Sequence, residues 1–151
     1  CGTFGYELDI TKIPQDDRAA ITEQIKTCHK YNELVRNGDY YRLASYQENN
    51  LYDCYMIAAK DKSEALLTYV QVLNRPNFKS RIVKLAGLAP DKEYKVLYEG
   101  DDGMESNSDN ENGAGNAPVF HGDTLMSAGL KLPNMWGDFK STLVHLVAKQ
   151  P

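Results

Sequence analysis

Residues 51–73 read LYDCYMIAAKDKSEALLTYVQVL, and this stretch decides the fold. Leu51 to Ala59 is apolar on both faces of an extended chain, the mark of a central strand covered on two sides. Lys60, Asp61, Lys62 and Ser63 form a polar turn, and Glu64 to Leu73 is a second run of strand length. Working outward, Tyr40 to Ala44 reads as a strand before the pair. Asn74-Arg75-Pro76-Asn77 breaks the chain after it. Phe78 to Leu85 comes next as a strand, then the turn Ala89-Pro90-Asp91-Lys92. Glu93 to Tyr98 is a further strand, with Tyr94, Val96 and Tyr98 on one face, and Ser141 to Val147 is expected to close the sheet. Short strands separated by turn chemistry predict a mainly β chain organised as an antiparallel β-sandwich.

The first part of the chain has a different period. Thr3 to Ile10 alternates partly and reads as a short strand. A helix comes after it: Pro14 suits its first turn, and Asp16 and Asp17 complement the positive end of its dipole. Ile21, Ile25, Cys28, Tyr31 or Asn32, and Val35 recur at helical spacing, with Leu34 beside them. Asn37-Gly38 is the stop, with Gly38 expected in a left-handed cap. A helix of this length is marginal alone in water, so its apolar face needs a partner layer. Two partners remain open. The strand and helix are the last βα unit of a repeat whose other units precede it, or the helix packs on the β domain that comes next.

Composition excludes several classes. The net charge is −4 with no basic cluster, against a nucleic-acid or anionic-membrane partner. No apolar run approaches the ~20 residues of a membrane span. Cys1, Cys28 and Cys54 are odd in number and widely spaced, with Cys28 in the helix and Cys54 in a strand. They read as buried thiols of a reducing compartment, and the expected location is cytoplasmic. Cys1 in place of Met predicts a chain cut from, or beginning within, a longer protein. A lipid-modified amino-terminal cysteine is the weaker reading, because a strand-like stretch stands where a polar tether belongs.

Chemistry-bearing residues are sparse. Gly113-Ala114-Gly115 has neither the preceding strand nor the following Lys-Ser/Thr of a phosphate loop. His29 and Cys28 are adjacent on a helix, so their side chains diverge. His145 reads as structural. Residues 99–118 form a polar stretch, expected as a surface loop. Asp101, Asp102, Asp109 and Glu111 supply oxygen ligands there, but not in the register of a calcium loop. Glu7 and Asp9 share a strand face, and the favoured role is fixing a strand end over forming a hydrolytic carboxylate pair. Tyr40, Tyr41, Tyr46, Tyr52 and Tyr55 cluster near the first two β-domain strands, as core or cross-strand pairs in preference to a sugar platform.

The stretch from Gly2 to Lys12, GTFGYELDITK, resembles a segment near the end of the catalytic barrel in glycoside hydrolase family 36 α-galactosidases. Gly38 to Leu43 (GDYYRL), Gly87 to Val96 (GLAPDKEYKV), Gly122 to Leu130 (GDTLMSAGL) and Asp138 to Leu143 (DFKSTL) resemble later segments of that family, in the same order. The insert from Asp101 to Asn116 is longer than the family pattern. The resemblance implies a parent enzyme with a (β/α)₈ barrel, of which residues 1–37 are the last strand and helix, and a carboxyl-terminal β-sandwich at residues 38–151. It implies retaining hydrolysis of terminal α-galactosides such as melibiose and raffinose, by two aspartates that lie before Cys1 and are absent here. No catalytic residue, metal or cofactor is therefore carried over. Phe4, Tyr6 and Glu7 are the candidates for the barrel rim, where such sites lie. The implied partners are the missing barrel, other copies of the parent and a small α-galactoside. The alternatives are an independent carbohydrate-binding sandwich and the tail of a raffinose-synthase-like barrel enzyme.

Overall fold

The computed structural model describes residues 5–9, 11–77, 80–99 and 117–149. The elements, in chain order, are α1 (Gln15–Asn37), β1 (Asp39–Ala44), α2 (Tyr46–Asn49), β2 (Tyr52–Ala58), β3 (Glu64–Gln71), β4 (Ile82–Val83), β5 (Glu93–Glu99), β6 (Val119–His121), α3 (Gly122–Ser127), β7 (Leu130–Lys131) and β8 (Lys140–Ala148). Six strands form one antiparallel sheet in the order β1-β2-β3-β8-β5-β6, and β4 pairs with β7 in a second, two-stranded sheet.

The run that decides the fold behaves as its sequence requires. Met56 pairs with Leu67 and Ile57 with Leu66 across the β2–β3 ladder. Cys54, Met56, Ala58, Ala65, Leu67 and Tyr69 point to one face and are essentially inaccessible, while Ile57 and Leu66 are buried on the other. Both faces are therefore covered, by different layers. On the first, Val83, Leu85, Leu88, Leu125, Leu130 and Leu132 complete the main core, carried by β4, α3, β7 and the segments between them. This makes an uneven sandwich of a large sheet against a small sheet and a helical turn. On the second face, Tyr31 and Leu34 of α1 pack on Ile57 and Leu66. Burying Tyr31 and Leu34 contributes roughly 1.5–3 kcal/mol each, an amount that fixes the carboxyl-terminal half of α1 on the sheet.

Several expectations are corrected. The described part of the Thr3–Ile10 stretch, residues 5–9, is not a strand; it lies exposed beside α1 with no sheet partner. Among the described residues of the Phe78–Leu85 stretch only Ile82–Val83 pairs as a strand, and the amide of Leu85 turns away to the Leu125 carbonyl of the α3 segment at 3.0 Å. The last strand does not close the sheet at an edge: β8 lies inside it, between β3 and β5. Gly38 is not left-handed. Its backbone is extended (φ −76°, ψ 167°), and its amide donates to the Leu34 carbonyl at 2.8 Å as the chain passes straight from α1 into β1. Glycine is needed there for closeness: a Cβ would lie 2.5 Å from the Ile57 methyl and 2.7 Å from the Leu34 carbonyl oxygen. Gly87 does need its freedom, with φ +73° and the Tyr41 ring lying over it.

Tyr94 ties the turns of the sheet together. It is wholly buried, and its hydroxyl accepts from the Ala89 amide (3.0 Å) while donating to the Lys62 carbonyl (2.9 Å). The Ala89–Lys92 turn is thereby joined to the β2–β3 turn.

Candidate functional site

Among the candidates for the barrel rim, Phe4 lies outside the described residues. Tyr6 and Glu7 are both exposed, and the Tyr6 hydroxyl donates to the Gln24 side-chain oxygen on α1. Asp9 has a local task. Its Oδ1 accepts from the Thr11 hydroxyl (2.6 Å) and amide (3.1 Å), and Oδ2 meets the Lys12 ammonium at 3.1 Å. The Thr11 hydroxyl bond, aided by Lys12 and the Thr11 amide, holds the Asp9 carboxyl below its usual value. This turn leads into α1, so Asp9 fixes the chain locally.

Where α1 meets the sheet, polar groups join into one cluster. Glu99, at the end of β5, accepts from the Tyr31 hydroxyl (2.6 Å) and the Lys30 ammonium (2.5 Å) through the same oxygen. The Tyr31 ring stands edge-on to His145 of β8, with centroids 5.0 Å apart, and His145 Nε2 lies 2.8 Å from Glu64 Oε2 of β3. Burial, then the hydrogen bond to Glu99, pushes the Tyr31 hydroxyl up to about 12. Burial also works against ionisation of Glu99, but the bonds from Lys30 and Tyr31 outweigh it and the carboxyl is lowered. The cluster carries acid, base and phenol, yet each partner is occupied by another. Its role is to lock α1 to three strands, and His145 is structural, as expected.

The other chemical candidates are dispersed. Cys54 is inaccessible, and burial pushes its thiol up to about 12; Cys28 is only half-buried, which corrects the expectation that both thiols are enclosed. His29 is exposed on α1. His121 faces Glu93 at 3.7 Å on the rim of the sheet. Asp101, Asp102, Asp109 and Glu111 lie outside the described residues, as does Gly113-Ala114-Gly115. Among the described residues no group of His, Cys, Asp and Glu is placed to hold a metal ion, and no helix is long and apolar enough to cross a membrane. The clustered tyrosines divide between core and surface. Tyr40 and Tyr55 form a cross-strand ring pair at 5.8 Å, and Tyr52 pairs with Tyr69 at 5.2 Å.

A cleft that sequence reading passed over lies at the other end of the sheet, bordered by Tyr69, Asn74, Ser80, Arg81, Asn134 and Trp136. The Arg81 guanidinium lies 3.8 Å over the Tyr52 ring, and its Nε donates to the Tyr69 hydroxyl at 2.9 Å. Gln71, almost fully buried, donates to the Met135 carbonyl (3.1 Å) and the Gly137 carbonyl (2.6 Å). The loop carrying Trp136 is thus pinned from inside while the indole stays 67% exposed. One signal was available: a lone tryptophan amid Pro133, Asn134 and Gly137 is a costly residue for a turn.

The fold is an uneven antiparallel sandwich with a helix clamped on its outer face. The Glycosyl hydrolase family 36 C-terminal domain pattern matches residues 52–146, and the chain belongs to that family. It is 34% identical over 149 residues to α-galactosidase AgaA of Geobacillus stearothermophilus, covering 99% of this chain and 18% of that protein. It is 34% identical over 147 residues to α-galactosidase Mel36A of Lactobacillus acidophilus, covering 97% and 18%. The crystal structure of α-galactosidase AgaB from G. stearothermophilus superposes with a TM-score of 0.78 at 34% identity, over 97% of this chain and 18% of that one. AgaA carrying two substitutions and bound to raffinose superposes equally well, with a TM-score of 0.78 at 32% identity. The chain thus spans less than a fifth of the length of these relatives.

Proposed function

We propose that this chain serves as the carboxyl-terminal part of an α-galactosidase that hydrolyses terminal α-galactosides such as melibiose and raffinose with retention of configuration. Residues 1–37 complete a catalytic barrel, and residues 38–151 form the sandwich that caps it. The observation that carries this reading is the ordered match over nearly the whole chain to α-galactosidases that are about five times longer. A second observation agrees with it. Tyr31 and Leu34 seat the carboxyl-terminal half of α1 on the sheet, whereas Ile25, earlier on the same helix, is left 38% exposed and Ile21 half-buried. An apolar stripe continuing past its own sheet suits a helix shared between two layers, with the barrel wall as the second.

In this arrangement the sandwich holds the last barrel helix in place, and the substrate is handled by aspartates outside this chain. Phe4, Tyr6 and Glu7 approach the rim of the sugar pocket. The parent enzyme is a cytoplasmic homo-oligomer with no cofactor. Reading the coding sequence upstream of Cys1 tests the proposal. It predicts an uninterrupted frame encoding a barrel with two aspartates placed at strand ends; a start codon immediately before Cys1 would defeat it.

A further inference from the structure

We propose that the cleft beside Trp136 is a carbohydrate site, in which a neutral pyranose lies flat on the indole. Trp136 is the only tryptophan of the chain. It is 67% exposed on a loop whose carbonyls at Met135 and Gly137 are held by the buried Gln71 amide. The loop is tied a second time where Asp138 Oδ1 accepts from the Asn74 amide at 2.7 Å. The indole is therefore presented on a loop anchored at both ends, which lowers the ordering cost of binding. An exposed indole offers a flat apolar face to the axial C–H groups of a sugar ring.

The lining chemistry suits a neutral polar ligand. Asn134, Asn74 and Ser80 line the cleft with Trp136; all three are uncharged donors and acceptors of the kind that pair with hydroxyl groups, although Asn74 Oδ1 already accepts from the Arg75 amide at 2.9 Å. The one cation of the lining, Arg81, is immobilised on Tyr52 and Tyr69 and so keeps a fixed orientation toward the cleft. The enclosed part of the cleft is about 20 Å³, room for one water molecule and too small for a sugar ring. A pyranose thus lies across the mouth, one face on Trp136 and the other open to solvent. The choice of a sugar over another neutral ligand rests on membership of a glycoside hydrolase family, and not on the activity proposed above.

The lone tryptophan makes the test direct. Intrinsic fluorescence of the 151-residue chain is titrated with methyl α-galactoside and with raffinose to about 100 mM, with glycerol as the hydroxyl control. The proposal expects a saturable change with the sugars, a linear or absent one with glycerol, and at least a fivefold weaker response in Asn134→Ala. Saturation-transfer NMR of the same sugars on Trp136→Ala, whose fold is checked by circular dichroism, is expected to lose the ring-proton signals. A wild-type response no different from glycerol overturns the site, as does undiminished transfer to Trp136→Ala. Failure here leaves the proposed parent reaction untouched, because no residue of this cleft takes part in it.

Discussion

At the scale of single residues, Tyr31 has the largest burden. It contributes ring area to the contact with Ile57 and Leu66, an edge to His145 and a hydroxyl to Glu99. Tyr31→Phe removes only the last of these and is expected to lower stability in urea unfolding by about 1.5–3 kcal/mol, the worth of a hydrogen bond to a charged group. Tyr31→Ala removes all three and should cost about 3–5 kcal/mol. The same residue gives the chain an alkaline limit. The Tyr31 hydroxyl is raised from 10.0 to about 12 and the Cys54 thiol from 9.0 to about 12, so the folded state favours both neutral forms. Their stabilising effect is complete below the unfolded values and disappears as pH rises toward 12. Urea midpoints should hold level from neutral pH to about 9 and then fall, less steeply in Tyr31→Phe; an unchanged midpoint through that range would contradict the burial argument. The legibility of such residues in sequence is uneven. His145 was legible as structural because it sits in an apolar strand. Trp136 was not, because the loop that carries it is held by the side chain of Gln71, far earlier in the chain.

At the scale of elements, legibility tracked length. β2, β3, β5 and β8 have between seven and nine residues, enough for alternation or two-sided burial to print a pattern. β4 and β7 have two residues each and β6 three, too few to carry a period, and they were missed or misplaced. The place of the last strand within the sheet was not legible for a different reason. Strand order is set by long-range pairing, which local pattern does not contain. The helix was legible throughout, but its two possible partners were not separable from periodicity. The structure assigns Tyr31 and Leu34 to the sheet and leaves Ile25 outward. This divides α1 into two halves with different mutational behaviour. Leu34→Ala should destabilise the chain by about 2–3 kcal/mol in chemical unfolding. Ile25→Lys should change it by less than about 0.5 kcal/mol, since an exposed position away from such features tolerates substitution. Gly38→Ala is expected to be costly, because the Cβ meets backbone oxygen as well as Ile57. Native-state hydrogen exchange in Gly38→Ala should locate the loosening at the α1–β1 junction, with β3 and β8 unaffected.

For the molecule as a whole, the sandwich and its clamped helix form a scaffold whose polar cluster at the α1 face is consumed in holding itself together. The ordered blocks from Gly2 to Leu143 made the family legible, since a series of short matches in sequence order is far more specific than any one of them. The family resemblance carries no catalytic residue onto these 151 residues, so catalysis by the chain alone is not expected. Purified as the 151-residue chain and assayed with a chromogenic α-galactoside, the protein is predicted to show no turnover above buffer, while the same chain expressed in frame behind its own upstream coding sequence is predicted to be active. Sustained release of chromophore by the short chain alone, scaling with its concentration, would contradict the account.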